Sequence, residues 1–230
     1  MEIITFEWIG LQLQEPMSLI LDWLLAAVCF FSFVKIRSFK TETEVYTTWW
    51  AIFFLFMGAS MFTGGLAHFF SFYAELPLKI VTWSLSAIAV FSAEMASLSL
   101  FGKNRINLFV KTILSLKLLA IVLLTFWFFD FGFIKINSTV GMVGIVLFLH
   151  AYKYFTGDKQ KSYILIGVGI IWTLFPALVH AFNINLHLWF NRDDFAHILM
   201  IFTFYLFYRG VSYQGKRLTV SQSFSIPQST

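Results

Sequence analysis

Residues 45–72 read VYTTWWAIFFLFMGASMFTGGLAHFFSF and contain no Asp, Glu, Lys or Arg. About 20 such residues carry an α-helix across the hydrocarbon core of a bilayer. The stretch lacks the period-two alternation of a barrel strand, so it is read as a spanning helix. Outward from it the pattern recurs at 17–36, 76–101, 106–134, 140–155, 163–182 and 193–211, with 140–155 the shortest. The predicted fold class is therefore all-α: a polytopic membrane protein, a seven-transmembrane-helix bundle over residues 1–212. A polar cytoplasmic tail, 213–230, follows it.

Composition agrees with this reading. The 230 residues are 59% hydrophobic and 12% charged, against about 45–50% and about 25% in soluble domains. Mean hydropathy is +0.78, and one residue in five is aromatic, with 30 Phe and 8 Trp. These values exclude a cytosolic enzyme, a disordered regulator and a secreted disulfide scaffold. The single Cys29 excludes disulfides and thiolate metal clusters. The N-terminus is acidic (Glu2, Glu7, Glu15) and has no basic n-region of a cleavable signal peptide.

Loop charges set the expected orientation. Lys35, Arg37 and Lys40, then Lys103 and Arg105, then Lys153, Lys159 and Lys161, then Arg209, Lys216 and Arg217 fall on one side. The other side carries Lys79, Lys135 and Arg192. The positive-inside rule then predicts the N-terminus out and the C-terminus in, and the basic pI needs no nucleic acid. The expected location is a bacterial inner (cell) membrane.

Ionisable groups in a membrane each need a partner or a role. Most of them fall in the predicted outer half. His68 lies near the outer end of the second helix, and Ser60, Gly64 and His68 are spaced by four along one face. His180 and His187 flank the connection before the seventh helix, which opens Asp193-Asp194-Phe195-Ala196-His197. Asp193 and His197 are i,i+4, and Asp22 lies one turn into the first helix. Imidazole and carboxylate are zinc ligands, and a catalytic zinc site takes about three of them plus water. Zinc is thus the expected cofactor, with His68, His187, Asp193 and His197 as candidate metal ligands. The competing expectations are that His180 bonds an interfacial carbonyl and that Asp193 or Asp194 caps the helix.

A seven-span chain with His68 on its second helix and Asp193-x-x-x-His197 opening its seventh resembles the CREST superfamily of membrane hydrolases, which includes alkaline ceramidases and adiponectin-receptor-like proteins. That family pattern is Ser-x-x-x-His on the second helix, Asp early in the third and His-x-x-x-His on the seventh. The resemblance implies a zinc-dependent hydrolase acting on a lipid amide or ester, with the metal on His68 and His197. Gly64 stands at the family's Ser position and Asp193 at its first His of the pair, and the third helix opens without an Asp. Ser60, one turn below Gly64, and Asp194 are the candidates for the catalytic roles.

Elsewhere, Glu94 on the third helix is placed to meet Lys111 or Lys117 on the fourth, as packing glue or as a proton path. His150 is assigned to the inner interface, and the tryptophans to interface belts and lipid-facing surfaces. A retinal Schiff base is not expected, because the seventh helix, 193–211, has no lysine. Small residues from Gly58 to Gly65 offer a close-packing face on the second helix for the bundle, for a tunnel or for a homo-oligomer. Expected partners are membrane lipid, including a lipid substrate, and a second copy through that face. The alternative functions are a non-enzymatic sensor, transporter component or assembly subunit, and proton conduction.

Overall fold

The computed structural model describes residues 4–38, 44–102, 105–157, 159–187 and 189–223. Lys40 and Lys103 of the charge argument, and the tail from 224 onward, lie outside the described residues. So do the side chains of Lys216 and Arg217.

Seven helices among the described residues are long and apolar enough to cross a membrane. The first, α1 (Pro16–Arg37), has 22 residues, which at about 1.5 Å each reaches across a core roughly 30 Å thick. α2 (Glu44–Phe69) and α3 (Ser71–Ser99) follow, then α4 (Arg105–Phe128). The fifth span is composite: α5 (Gly132–Ser138), a π-helical stretch Thr139–Leu147 and α6 (Phe148–Phe155). The sixth is α7 (Lys161–Trp172) with α8 (Leu174–Ala181), and the seventh is α9 (Arg192–Ser223). α2 packs between α1 and α3, and α9 lies against α1, α7 and α8. α4 leans on α3 and the fifth span. Leu116, Leu119, Leu123, Phe126 and Trp127 of α4 are exposed. That apolar outer surface is suited to lipid, so the chain is an integral membrane protein.

Several boundaries differ from expectation, each for a local reason. The turn predicted between 72 and 76 lies at Phe70, and Ala74 (φ −145°, ψ 27°) kinks α3. Pro77 lacks an N–H and its ring clashes with the carbonyl four residues back, which bends the first turns of α3. Residues 132–134 belong to the fifth span rather than the fourth. Phe129 takes a positive φ of 52°, and Asp130 Oδ1 accepts the Gly132 N–H at 2.7 Å, turning the chain. Pro176 likewise accompanies the break at Thr173 that divides the sixth span. α9 continues past the apolar stretch, which ends at Gln214, to Ser223.

The sequence reading contained no strand, yet β1 (Thr5–Trp8) and β2 (Leu11–Gln14) form an antiparallel hairpin ahead of α1. Ile9 and Gly10 both have positive φ (52° and 75°), the geometry of a two-residue hairpin turn that follows strand twist. Phe6 pairs with Leu13 across the ladder. Leu13 is buried, and Phe6 meets the Phe69 ring at 6.0 Å. The Gln12 N–H donates to Tyr73 Oη at 3.0 Å. The hairpin therefore lies over the end of α2 and the start of α3.

The core centres on aromatic side chains of α2 and α9. Trp50 meets Phe53 at 5.1 Å and Phe207 at 5.6 Å, and Phe53 meets Phe54 at 5.2 Å. These contacts are mostly edge-to-face or tilted, as ring quadrupoles favour. Trp50 is thus a core residue and not a belt residue. His150 is also fully buried rather than interfacial. Its Nδ1–H donates to the Val146 carbonyl at 2.8 Å, and its Nε2 accepts from Tyr46 Oη at 3.2 Å. The small-residue face of α2 works inside the bundle. A Cβ on Gly58 would lie 2.9 Å from the Phe30 ring, and one on Gly65 would lie 3.1 Å from Asp22 Cβ.

Candidate functional site

The start of α1, the end of α2, the end of α8 and the start of α9 meet beneath the hairpin. Three histidines lie there, each against a carboxylate from another element. Pro16 opens α1, and Glu15 before it adopts a left-handed conformation (φ 47°, ψ 55°). Glu15 Oε2 accepts the His68 Nδ1–H at 2.8 Å, and its Oε1 accepts from Asn191 Nδ2 at 3.3 Å. His197 Nε2 lies 3.4 Å from Asp22 Oδ1, and His180 Nδ1 lies 3.2 Å from Asp193 Oδ1. Glu15, Asp22 and Asp193 all act electrostatically on His68, as do His68, His180 and Glu15 on His197. Arg192 and Lys135 add positive charge near His180.

Local folding positions these groups. Asn191 caps α9: its Oδ1 accepts the N–H groups of Asp193 (2.7 Å) and Asp194 (3.1 Å). Asp194 Oδ2 returns the bond to the Asn191 N–H at 2.9 Å, a reciprocal capping box. Asp194 Oδ1 accepts from the buried Ser18 Oγ at 2.9 Å, tying α9 to α1. Gly65 makes room for Asp22, since a Cβ there would lie 3.1 Å from Asp22 Cβ.

The expected site residues are therefore divided among several tasks. His68 and His197 reach the same end of the bundle, but Asp193 pairs with His180 and Arg192 instead of with His197. Asp194 has both oxygens engaged in the cap and the Ser18 bond. Ser60 is fully buried and donates to the Thr82 carbonyl of α3 at 2.9 Å, away from the imidazoles. His187 lies in the exposed connection, where its Nδ1 accepts the Trp189 N–H at 3.2 Å. Among the described residues no three His, Cys, Asp or Glu side chains group as ligands for a metal ion. As placed, these residues stand in separate pairs, whereas a catalytic zinc takes about three protein ligands at one point. Glu15 and Asn191 were absent from the expected site. The one sequence signal for them was Asn191-x-x-Asp194, an N-cap and its reciprocal partner.

A second polar feature lies deeper. Glu94 of α3 is fully buried and pairs with Lys117 of α4 rather than with Lys111. Glu94 also lies against Gly141 in the π-helical stretch, where a side chain would collide with it.

The molecule is thus a seven-span helical membrane protein with a histidine–carboxylate cluster under an N-terminal hairpin. The chain matches the family of unknown function DUF6962 over residues 17–216, and belongs to it. No curated protein and no solved structure matches the chain.

Two outcomes follow from these contacts. The hydrogen bond from His68 holds the Glu15 carboxyl below its ordinary value of 4.5. A carboxylate with a lowered folded-state value contributes stability that is complete above its unfolded value and is lost as pH falls through the folded one. Glu15→Gln should therefore lower stability at neutral pH and flatten the loss on acidification below pH 4.5. Thermal unfolding of the detergent-solubilised protein across that range measures both effects.

At the deeper pair, Lys117→Met strands a buried carboxylate and should cost about 3–5 kcal/mol, while Glu94→Leu combined with Lys117→Met should recover most of the loss. Thermal unfolding that finds Lys117→Met as stable as wild type would show that the pair carries no such coupling.

Proposed function

We propose that the protein is a proton-responsive, non-enzymatic membrane protein, a sensor whose input is the charge state of His68 under the hairpin. The observation that carries this reading is that His68, His197 and His180 each face a carboxylate on a different element. Together the pairs link the hairpin junction, α1, α2, α8 and α9. Histidine changes charge between about pH 5 and 8. Adding a proton to the His68 imidazole, already against the Glu15 carboxylate, turns an ion–dipole contact into an ion pair, which is stronger away from bulk water. The hairpin and the α8–α9 connection then close more firmly on the bundle as pH falls through the histidine range. They loosen again when Glu15 is protonated.

Hydrogen–deuterium exchange of the full chain in nanodiscs at about pH 7.5 and about pH 5.5 tests this reading. After correction for intrinsic exchange, protection of residues 4–15, 182–187 and 189–191 should rise at the lower pH. The rise should vanish in His68→Gln, which removes the titrating partner of Glu15. Protection that does not change with pH in wild type would overturn the reading.

A second reading, the zinc-dependent hydrolase acting on a lipid amide or ester, is favoured by one feature. His197 Nδ1 is buried and has no hydrogen-bond partner among the described residues, while a carboxylate stands behind the ring, as it does behind metal-ligating imidazoles. Metal analysis separates the two readings. Zinc that purifies with wild type and is lost in His68→Ala and in His197→Ala, together with lipid hydrolysis, supports the second; metal-free protein with an intact pH response supports the first.

We further propose that the hairpin end faces outward and the C-terminus inward, in a bacterial inner membrane. The support is the gathering of Lys35, Arg37, Arg105, Lys153, Lys159 and Lys161 at the opposite end. A C-terminal green fluorescent protein fusion should fluoresce and a C-terminal alkaline phosphatase fusion should be inactive. The reverse pair of results would invert the orientation.

A further inference from the structure

At the end of the bundle away from the hairpin, α7 and α9 enclose a groove of about 270 Å³. The two helices approach closely at its base, where a Cβ on Gly210 would lie 3.1 Å from the Ser162 carbonyl oxygen. Ser162 Oγ also donates to Gln214 Oε1 at 2.9 Å, which fixes their separation.

The groove is amphiphilic along its length. Lys161 opens the sixth span and Gln214 closes the seventh apolar stretch, so the cations Lys161 and Arg209 lie at the level where apolar chain gives way to polar loops. Ile164, Leu165 and Leu206 form its apolar walls, and Tyr205 and Tyr213 border it on α9. Among the described residues no carboxylate lines it.

Arg209 is held in place for a task. Its guanidinium lies 5.7 Å from the Tyr205 ring and 5.6 Å from the Tyr213 ring. It donates to Tyr205 Oη at 2.8 Å and to Tyr213 Oη at 3.4 Å. Two of its N–H groups are engaged in this way, and the rest of its fork of five donors remains for an anion. A fixed guanidinium, a lysine and an apolar channel beside them match one kind of ligand, with a single negative charge at its head and a hydrocarbon chain below.

We propose that this groove binds an anionic phospholipid, its phosphate on Arg209 and Lys161 and an acyl chain along Ile164, Leu165 and Leu206. A free phosphate would use the cations and leave the walls unfilled. A phosphatidylcholine would bring its own cation against them. The site is independent of the hairpin end and of either functional reading given there.

The test uses the full chain in nanodiscs containing equal amounts of phosphatidylglycerol and phosphatidylcholine with identical chains, followed by native mass spectrometry of retained lipid. Wild type should retain phosphatidylglycerol in preference. Arg209→Gln with Lys161→Gln should reduce that preference about thirtyfold, given the attraction of each basic residue near a membrane surface. Arg37→Gln with Lys153→Gln, which removes two charges elsewhere at the same end, should leave it intact. Equal retention of the two lipids by wild type, or an equal loss in the second pair of variants, would overturn the proposal. Displacement of the lipid by inorganic phosphate would also overturn it, by reducing the site to a headgroup pocket. Should the first pair fail to fold, Leu165→Trp fills the groove and keeps both charges. Bound phosphatidylglycerol must then fall, and unchanged occupancy would reject the groove as its site.

Discussion

A carboxylate inside a membrane protein cannot be left alone, and Asp22 shows how that requirement arranges the spans around it. Its side chain is almost fully buried on α1, where solvation by water is lost and only a specific neighbour can replace it. Gly65 removes the side chain that would crowd it from α2. His197 on α9 supplies the nitrogen that faces it. Three helices distant in sequence are thereby held at one level. The cap of α9 fits the same arrangement, because Asp194 must point toward Ser18 while Asn191 reaches Glu15.

Polar contacts of this kind matter more here than in a soluble bundle. Lipid tails are as apolar as leucine, so burial of apolar surface does not by itself drive one span against another. Close packing and specific polar pairs carry more of the choice of neighbour. The aromatic cluster around Trp50 and Phe207 supplies the first between α2 and α9. The Glu94–Lys117 pair supplies the second for α4, whose outer face is otherwise turned to lipid. Without that pair, α4 would have a smaller cluster around Ala87, Ile121 and Ile134 and another around Met95, Leu98 and Leu114 to hold it.

The same physics decides what could be read from the sequence. Span number was legible because hydropathy over a run of residues is a local property, and all seven runs appear as helices. Helix facing was not, since lipid-facing and core-facing positions are both apolar and no polar stripe separates them. Trp50 and His150 were accordingly misplaced: burial depends on which neighbours arrive, here Phe53, Phe207 and Tyr46. The candidate cluster was legible as a level, with His68, His180, Asp193 and His197 near one end. Its pairing was not, because i,i+4 spacing favours Asp193 with His197, while the fold offers each a partner on another helix. The hairpin escaped notice because two strands of four residues carry little hydropathy signal and gain their stability from the helix ends they cover.

The spans also differ in how far they can transmit a local change. α3 is kinked at Ala74, the fifth span contains a π-helical stretch and the sixth breaks at Thr173. Each irregularity lets one part of a span shift without moving the rest. α9 is a single unbroken helix. It carries Asp193, Asp194 and His197 at the hairpin end, and Tyr205, Arg209 and Tyr213 toward the other. Its contacts with α7 at Gly169 and Gly210 are too close for lateral displacement, since Phe207 and Ile166 already fill the space a Cβ would take.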